Sequence, residues 1–416
     1  MTLYGMIILT ALLFSFVLET SAGLLNIQAM REHPPDEFAD VVDATTWSQT
    51  RAYAKDRATL EITSGAFKLI TLLTWWFAGG FHWLDRFVGS WHLGDLAIGV
   101  IYIGLLLLIS KLVSLPFKIY GTFVVEARYG FNNTTLLTFI TDKAKGVLLS
   151  LVLGGPFLIA LLYFFQYTGS LAWLYCWGLA SAFLLFIQYI APILLMPLFN
   201  RYTPLPDGTL RQAIQSYSQT NHIPIGNLFV MDGSRRTTKT NAFVTGFGRH
   251  RRIALFDTMI ERHTVPEVVA VLAHEIGHAQ LGHIPKMTTL ALIYLGVLCG
   301  LLSFSMQDPN LHHAFYMERV TLHGGLTFFT LLAVPLDLLT GPIMKWISRH
   351  YEYAADRHAA TTLPDPMALV SALKKLAVNN LANLTPHPLQ VVINHAHPPL
   401  LQRIEAIKQC KKGHNG

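Results

Sequence analysis

Charge is what this chain has least of. Only 13% of its 416 residues are Asp, Glu, Lys or Arg, against 52% that are hydrophobic, whereas about a quarter of an average soluble domain is charged. So little charge cannot cover a water-facing surface of this size, and membrane residence is the first reading. Cysteine is also scarce. Cys176, Cys299 and Cys410 stand far apart without metal-ligand spacing, which excludes a disulfide framework and a cysteine metal cluster. Basic tracts are missing as well: the formal charge is +6, but Lys and Arg are dispersed, so no nucleic-acid partner is expected. The chain has no internal repeat and no low-complexity tract.

What it does have is long apolar runs. A helix crosses about 30 Å of hydrocarbon with about 20 residues, and such stretches occur near 3–22, 65–84, 97–116, 147–167, 171–194, 287–306 and 323–345. Seven spans are expected. The first ends on the small residues Ser21 and Ala22, as a signal peptide would, but no basic residue precedes it, so it reads as an anchor. With seven spans, Arg31, Arg51, Lys55, Arg57, Lys118, Arg128, Lys143, Lys145, Lys345 and Arg349 fall on one side and only Arg86 and Arg319 on the other. That asymmetry makes the crowded side cytoplasmic, with the C-terminus on it and the N-terminus outside. Four parts follow: membrane helices with cytoplasmic loops over 1–194, a cytoplasmic α+β segment over 195–286, two spans over 287–345, and a helical cytoplasmic tail over 346–416.

Within the α+β segment, 227–231, 240–245 and 252–256 read as short strands of a meander, separated by Asp232-Gly233 and by Gly246-Phe247-Gly248. Pro266 then opens a helix that runs from Glu267 to Gly282. That helix carries His274-Glu275-Ile276-Gly277-His278. Four residues advance a helix by about 400°, so the two imidazoles share a face and can grip one Zn²⁺ at about 2.0–2.1 Å. Glu275 stands about 100° away, beside the cation, where it can take a proton from the hydrolytic water. Eighteen histidines make a chance match conceivable, at a few hundredths per chain.

A catalytic zinc needs a third protein ligand and an open position. The metzincin pattern would put Gly and His where this chain has Leu281 and Ile284. His283 is one residue short, and on a continued helix it points away from the metal face, so it reads as a polar helix-end residue. The alternative is a distant carboxylate, and Glu352, four residues before Asp356, offers one just after the last apolar run. Glu352 would bind the metal while Asp356 accepts the other N–H of a ligand imidazole, that of His274. Alone, this Glu-x-x-x-Asp would be a solvated helix face. Paired with the His-Glu-x-x-His helix, it reads as a site.

At this point the chain resembles the type I CAAX prenyl proteases. The likeness extends over nearly its whole length through Arg128-Tyr129-Gly130-Phe131-Asn132, the run from Pro197 to Leu205, Asp232-Gly233-Ser234-Arg235-Arg236, Asn241-Ala242-Phe243-Val244-Thr245-Gly246, both site helices, and His397-Pro398-Pro399-Leu400 with Arg403. The resemblance implies seven tilted helices around an intramembrane chamber, closed by a small α+β zinc-metallopeptidase domain, and cleavage near the C-terminus of prenylated, membrane-associated proteins. It implies one Zn²⁺ per chain, Asn241, Ala242 and Phe243 as a strand that aligns the substrate by β-augmentation, and His397 and Arg403 as oxyanion stabilisers. His395 competes with His397 for that part. In a eukaryote the resemblance implies the endoplasmic reticulum membrane, and in a bacterium the inner membrane. Two rival readings stand beside it: a lipid-independent quality-control protease, and a catalytically silent membrane scaffold or transporter. The first 60 residues carry no recognisable motif.

Overall fold

The computed structural model describes residues 1–223, 227–245 and 252–414; the expected turn at Gly246-Phe247-Gly248 lies outside the described residues. Apolar sequence becomes helix here because only a helix satisfies its own backbone in lipid. Leu3–Gln28, Asp95–Glu126, Leu136–Tyr167, Gly169–Phe199 and His283–Ser305 are long and apolar enough to cross a membrane; Leu322–Leu332 and Val334–Thr362, bent by 49° at their junction, pass the same test as a pair and give six if the pair is one span. Pro335, in the first turn of the second piece, lacks the N–H that would carry the ladder through, which accounts for the bend.

Against the seven spans read from the sequence, the difference lies at 65–84. There the structure has Ala44–Phe77, a 34-residue helix, which stops before Gly79 at φ 73. Glu61 and Lys68 interrupt its apolar half, so its composition falls short of a span. Its charged half is tied to the end of the next span instead. Tyr53 donates to Glu126 at 2.6 Å, and Arg57 Nη1 reaches the same carboxylate at 3.3 Å.

The spanning helices bury little of themselves against one another, with only 6 to 17% of each apolar window enclosed. The dense core lies elsewhere, around a four-stranded sheet of order β1–β2–β4–β3, with β1 Tyr202–Pro204, β2 Asn227–Met231, β3 Ala242–Thr245 and β4 Arg252–Phe256. The expected meander is not formed. β2 pairs parallel with β4, so β4 comes between β2 and β3, and β3 closes one edge of the sheet with β4 as its strand neighbour. β1, which Pro204 hid from the strand pattern, takes the other edge.

One continuous core joins Ala242, Ile253 and Leu255 of the sheet, Val268 to Ile276 of the helix Val265–Gln280, Ala359 and Leu363, Leu369 to Ala377, and Ile404 with Ile407. It also takes in Met30, Phe38, Val42 and Trp47. The motif-free N-terminal region thus packs onto the same body, and Lys408 pairs with Glu37 beside it at 2.6 Å. The family motifs named above weld this body to the spans. Arg236 forks onto Asp142 at 2.9 and 3.0 Å and reaches Asn200 at 2.9 Å, while Asn133 donates to the Ser234 carbonyl at 2.8 Å.

The helix Val265–Gln280 begins with a capping box, in which Glu267 accepts from the Thr264 amide at 2.8 Å. The same buried carboxylate accepts from Ser371 at 2.6 Å and pairs with Lys375 at 2.8 Å. Burial opposes its ionisation, yet Lys375, Ser371 and the Thr264 amide overcome that and hold it at about 2. A depressed carboxylate stabilises the fold fully above its unfolded value of 4.5, and that stability drains away as pH falls towards 2. At about 1.4 kcal/mol per unit this amounts to roughly 3 kcal/mol at most. Glu267→Gln should therefore lower the melting temperature of metal-stripped protein at pH 7, and the gap to wild type should close below pH 4.5. A gap that stays constant from pH 7 to pH 3 would contradict the assignment.

Candidate metal centre

Three helices meet behind the sheet. Val265–Gln280 brings His274, Glu275 and His278, Val334–Thr362 brings Glu352 and Asp356, and Leu400–His414 brings Arg403. Their approach depends on a missing side chain. A Cβ on Gly277 would lie 3.1 Å from both Cα and O of Ala355 and 3.2 Å from Cβ of His358, backbone contacts that cannot swing aside. Gly277→Ala should push the Glu352 helix outward, at the roughly 1–3 kcal/mol typical of overpacking. The expected result is weaker metal retention during chelator dialysis, with the protein still folded; retention equal to wild type would rule this out.

His274, His278 and Glu352 each turn a ligand atom inward, all within 4.8 Å of one another. The two Nε2 atoms stand 3.2 Å apart, and Glu352 reaches them at 3.4 Å through Oε2 and 3.3 Å through Oε1. Glu352 Oε2 is buried and accepts no hydrogen bond. Two nitrogens facing each other and a buried carboxylate oxygen lacking a donor suit one shared cation, and a nitrogen-and-carboxylate donor set is one zinc takes. Behind them Asp356 Oδ1 lies 2.8 Å from His274 Nδ1. Arg403 grips Asp356 with two bonds, Nη2 to Oδ1 at 2.7 Å and Nε to Oδ2 at 2.8 Å, and its Nη1 stands 3.6 Å from Glu352 Oε2. Arg403 itself is buried.

The remaining residues singled out in the sequence are His397, His395, Asn241, Ala242 and Phe243. His397 is exposed, with Nε2 3.4 Å from Glu352 Oε1. His395 enters differently, as a carbonyl accepting from Arg349 at 2.8 Å. Asn241 caps the next backbone amide, that of Ala242, at 2.9 Å and accepts from the Phe256 amide at 3.1 Å. Ala242 is buried and Phe243 sets its ring edge-on to Phe256. The residue before them is clamped by Asn380, which bonds both the amide and the carbonyl of Thr240, at 3.2 and 3.3 Å. Glu275 and His278 line a cavity of about 500 Å³ with Met287, Ala291 and Met344 of the spanning helices. The cavity thus joins Glu275 and His278 to apolar side chains of the helices His283–Ser305 and Val334–Thr362.

The sequence reading misplaced His283. The site helix ends at Gln280, Gly282 takes φ 66, and His283 opens the next helix. The break swings His283 back, so that its Nδ1 lies 2.9 Å from Nδ1 of His278. The signal was Leu281-Gly282, a helix stop that the continuing apolar pattern concealed.

These observations define a class: a multi-pass membrane protein carrying a metallopeptidase centre. Comparison with known proteins agrees. A profile described as CAAX prenyl protease N-terminal, five membrane helices, matches residues 24–201, and one described as peptidase family M48 matches residues 204–411. The chain is 31% identical to the CAAX prenyl protease 1 homolog of Arabidopsis thaliana, with 94% of each chain covered. It is 33% identical to the probable CAAX prenyl protease 1 of Schizosaccharomyces pombe, over 91% of this chain and 82% of that one. The crystal structure of S. mikatae Ste24p superposes with a TM-score of 0.90 at 29% identity, covering 98% of this chain and 99% of the other. The chain belongs to peptidase family M48, in its CAAX prenyl protease branch. It is an integral-membrane metallopeptidase acting on peptide or protein substrates.

Proposed function

We propose that this chain is a zinc-dependent endopeptidase that cuts near the C-terminus of prenylated, membrane-associated peptides, with one zinc per chain. The observation that carries the reading is the convergence of His274, His278 and Glu352 beside Glu275, at the mouth of an apolar cavity shared with the spanning helices. The names of the relatives in Arabidopsis thaliana and Schizosaccharomyces pombe support the substrate class.

His274, His278 and Glu352 would hold the metal. When bound, zinc supplies a Lewis acid that polarises the scissile carbonyl and makes water more acidic. Glu275 takes the proton of the attacking water and returns it to the leaving amine, so no covalent intermediate is needed. His397, exposed yet next to Glu352, donates to the developing oxyanion. Arg403 spends two of its donors on Asp356. We therefore give it chiefly a positioning part, through Asp356 and Glu352, in place of the oxyanion role suggested by the resemblance. Asp356 sets the tautomer of His274. The run Asn241, Ala242 and Phe243, which leads into the edge strand β3, aligns the substrate backbone beside the sheet, which anchors the chain while side chains find pockets.

We assign this site and the C-terminus to the cytoplasmic face, of the endoplasmic reticulum membrane in a eukaryote or the inner membrane in a bacterium; the distribution of Lys and Arg supports that orientation when 65–84 also crosses, as in the seven-span reading of the sequence. The four-part division at 194, 286 and 345 then separates the spans from the catalytic segments. Partners are the peptide and the surrounding lipid, with no nucleic acid.

The test compares one peptide with and without a farnesyl group. Burying even two or three extra carbons is worth about 0.8 kcal/mol each, so kcat/KM should favour the lipidated form by about tenfold or more. Equal rates would favour the lipid-independent protease, to which the largely apolar cavity lining is otherwise indifferent.

A further inference from the structure

We propose that His283 is a positioning residue for the metal, holding the ring of His278 in its binding orientation by accepting the Nδ1 proton of that imidazole. The inference rests on the reading of His274, His278 and Glu352 as ligands. With His278 Nε2 turned to His274 and Glu352, the nitrogen that meets the cation must be bare, so the proton sits on Nδ1. A ligating imidazole keeps that tautomer and ring angle only if something accepts the proton, ordinarily a carboxylate, a carbonyl or water. Here the neighbour is a second imidazole nitrogen, 2.9 Å away.

The acceptor is itself held. His283 is buried, and its ring stacks on Tyr351 with centroids 4.2 Å apart and planes 8° apart. Tyr351 directly precedes Glu352, so one ring braces His278 by a hydrogen bond and abuts the strand of contacts that carries the third ligand. The backbone explains how this is reached. On an unbroken helix a residue five positions on is rotated by about 500°, well off the face of His278. Gly282 at φ 66 breaks the helix in a conformation that glycine adopts freely, and His283 returns to the face it would have left. Because His283 is also the first residue of the spanning helix His283–Ser305, the same bond fixes that span to the metal centre.

Two substitutions separate the acceptor from the stack. His283→Phe keeps an aromatic ring on Tyr351 and removes the acceptor; His283→Asn keeps an acceptor at the position of Nδ1 and removes the ring. Full-length protein is stripped of metal, and zinc affinity is measured by competition with a chromophoric chelator, with Co²⁺ absorption reporting ligand geometry and metal-free melting reporting the fold. The phenylalanine variant should bind zinc about 10–100-fold more weakly and show an altered Co²⁺ spectrum, while asparagine stays close to wild type. Should the phenylalanine variant not fold, His283→Ala takes its place beside asparagine. Wild-type affinity without the acceptor, or asparagine as weak as the variant lacking it, overturns the inference. His278→Ala is the control: if it retains zinc, the ligand assignment itself fails, whereas loss there with retention in the acceptor-less variant defeats only the role of His283.

Discussion

Glu275→Gln should abolish peptide hydrolysis and leave the metal in place. Glutamine keeps the size and one oxygen of the side chain but cannot take up a proton. General-base catalysis contributes about 10²–10⁴-fold, so kcat should fall by that factor. KM should change little, because Glu275 lies outside the cluster of ligand atoms and on the wall of the adjoining cavity. Metal content by elemental analysis should match wild type, which separates this variant from His274→Ala, where loss of activity would accompany loss of the ion. A Glu275→Gln enzyme working within tenfold of wild type would remove the base from the mechanism, and the water would then need another acceptor near His278.

How much of this could be read from the chain alone depends on the range of the forces involved. The spacing of His274 and His278 encodes its own geometry through the helical repeat, so that face was legible. Glu352 and Asp356 became legible because a zinc centre demands a third ligand and a carboxylate behind an imidazole, which narrowed the search to a few acidic residues in a chain poor in charge. Sheet topology was not legible. β2 pairs in parallel with β4 although β3 lies between them in sequence, and nothing in the alternation of a short strand states which neighbour it will choose. The packing of Phe38 and Trp47 onto the catalytic core was equally hidden, since residues so distant in sequence from the sheet meet only through tertiary burial. His283 failed for a narrower reason. One left-handed glycine reverses the direction of a side chain, and a periodicity argument that runs the helix two residues too far assigns it to the opposite face. Glu61 and Lys68 dilute the apolar half of the helix Ala44–Phe77, so length and composition do not mark that helix as the seventh span.

Arg403→Ala should be the most destabilising single change at the centre, and the metal should reverse much of it. The guanidinium is the charged partner of two buried carboxylates, bonded twice to Asp356 and 3.6 Å from Glu352. Removing one member of a buried ion pair costs about 3–5 kcal/mol, because the other is left without a counter-charge. Two opposing effects then act on metal binding. Asp356 loses the fork that orients it and so holds His274 less firmly, but the repulsion between guanidinium and cation also disappears. In metal-free protein neither helps, and the melting temperature should drop sharply. With metal, the cation becomes the strongest positive partner left to Glu352 and Asp356, and a ligand present at about 1,000 times its Kd stabilises by about 4 kcal/mol. The rise in melting temperature on adding zinc should therefore be larger in Arg403→Ala than in wild type; an equal or smaller rise would mean that the guanidinium does not neutralise this pair. Kinetics at saturating zinc complete the argument. If Arg403 acts through the two carboxylates, kcat recovers most of its value once the site is filled, whereas a direct donor to the oxyanion would leave kcat low however much metal is supplied. Lysine in its place can offer charge but not the two-pronged grip, and it should fall between alanine and wild type in metal-free stability.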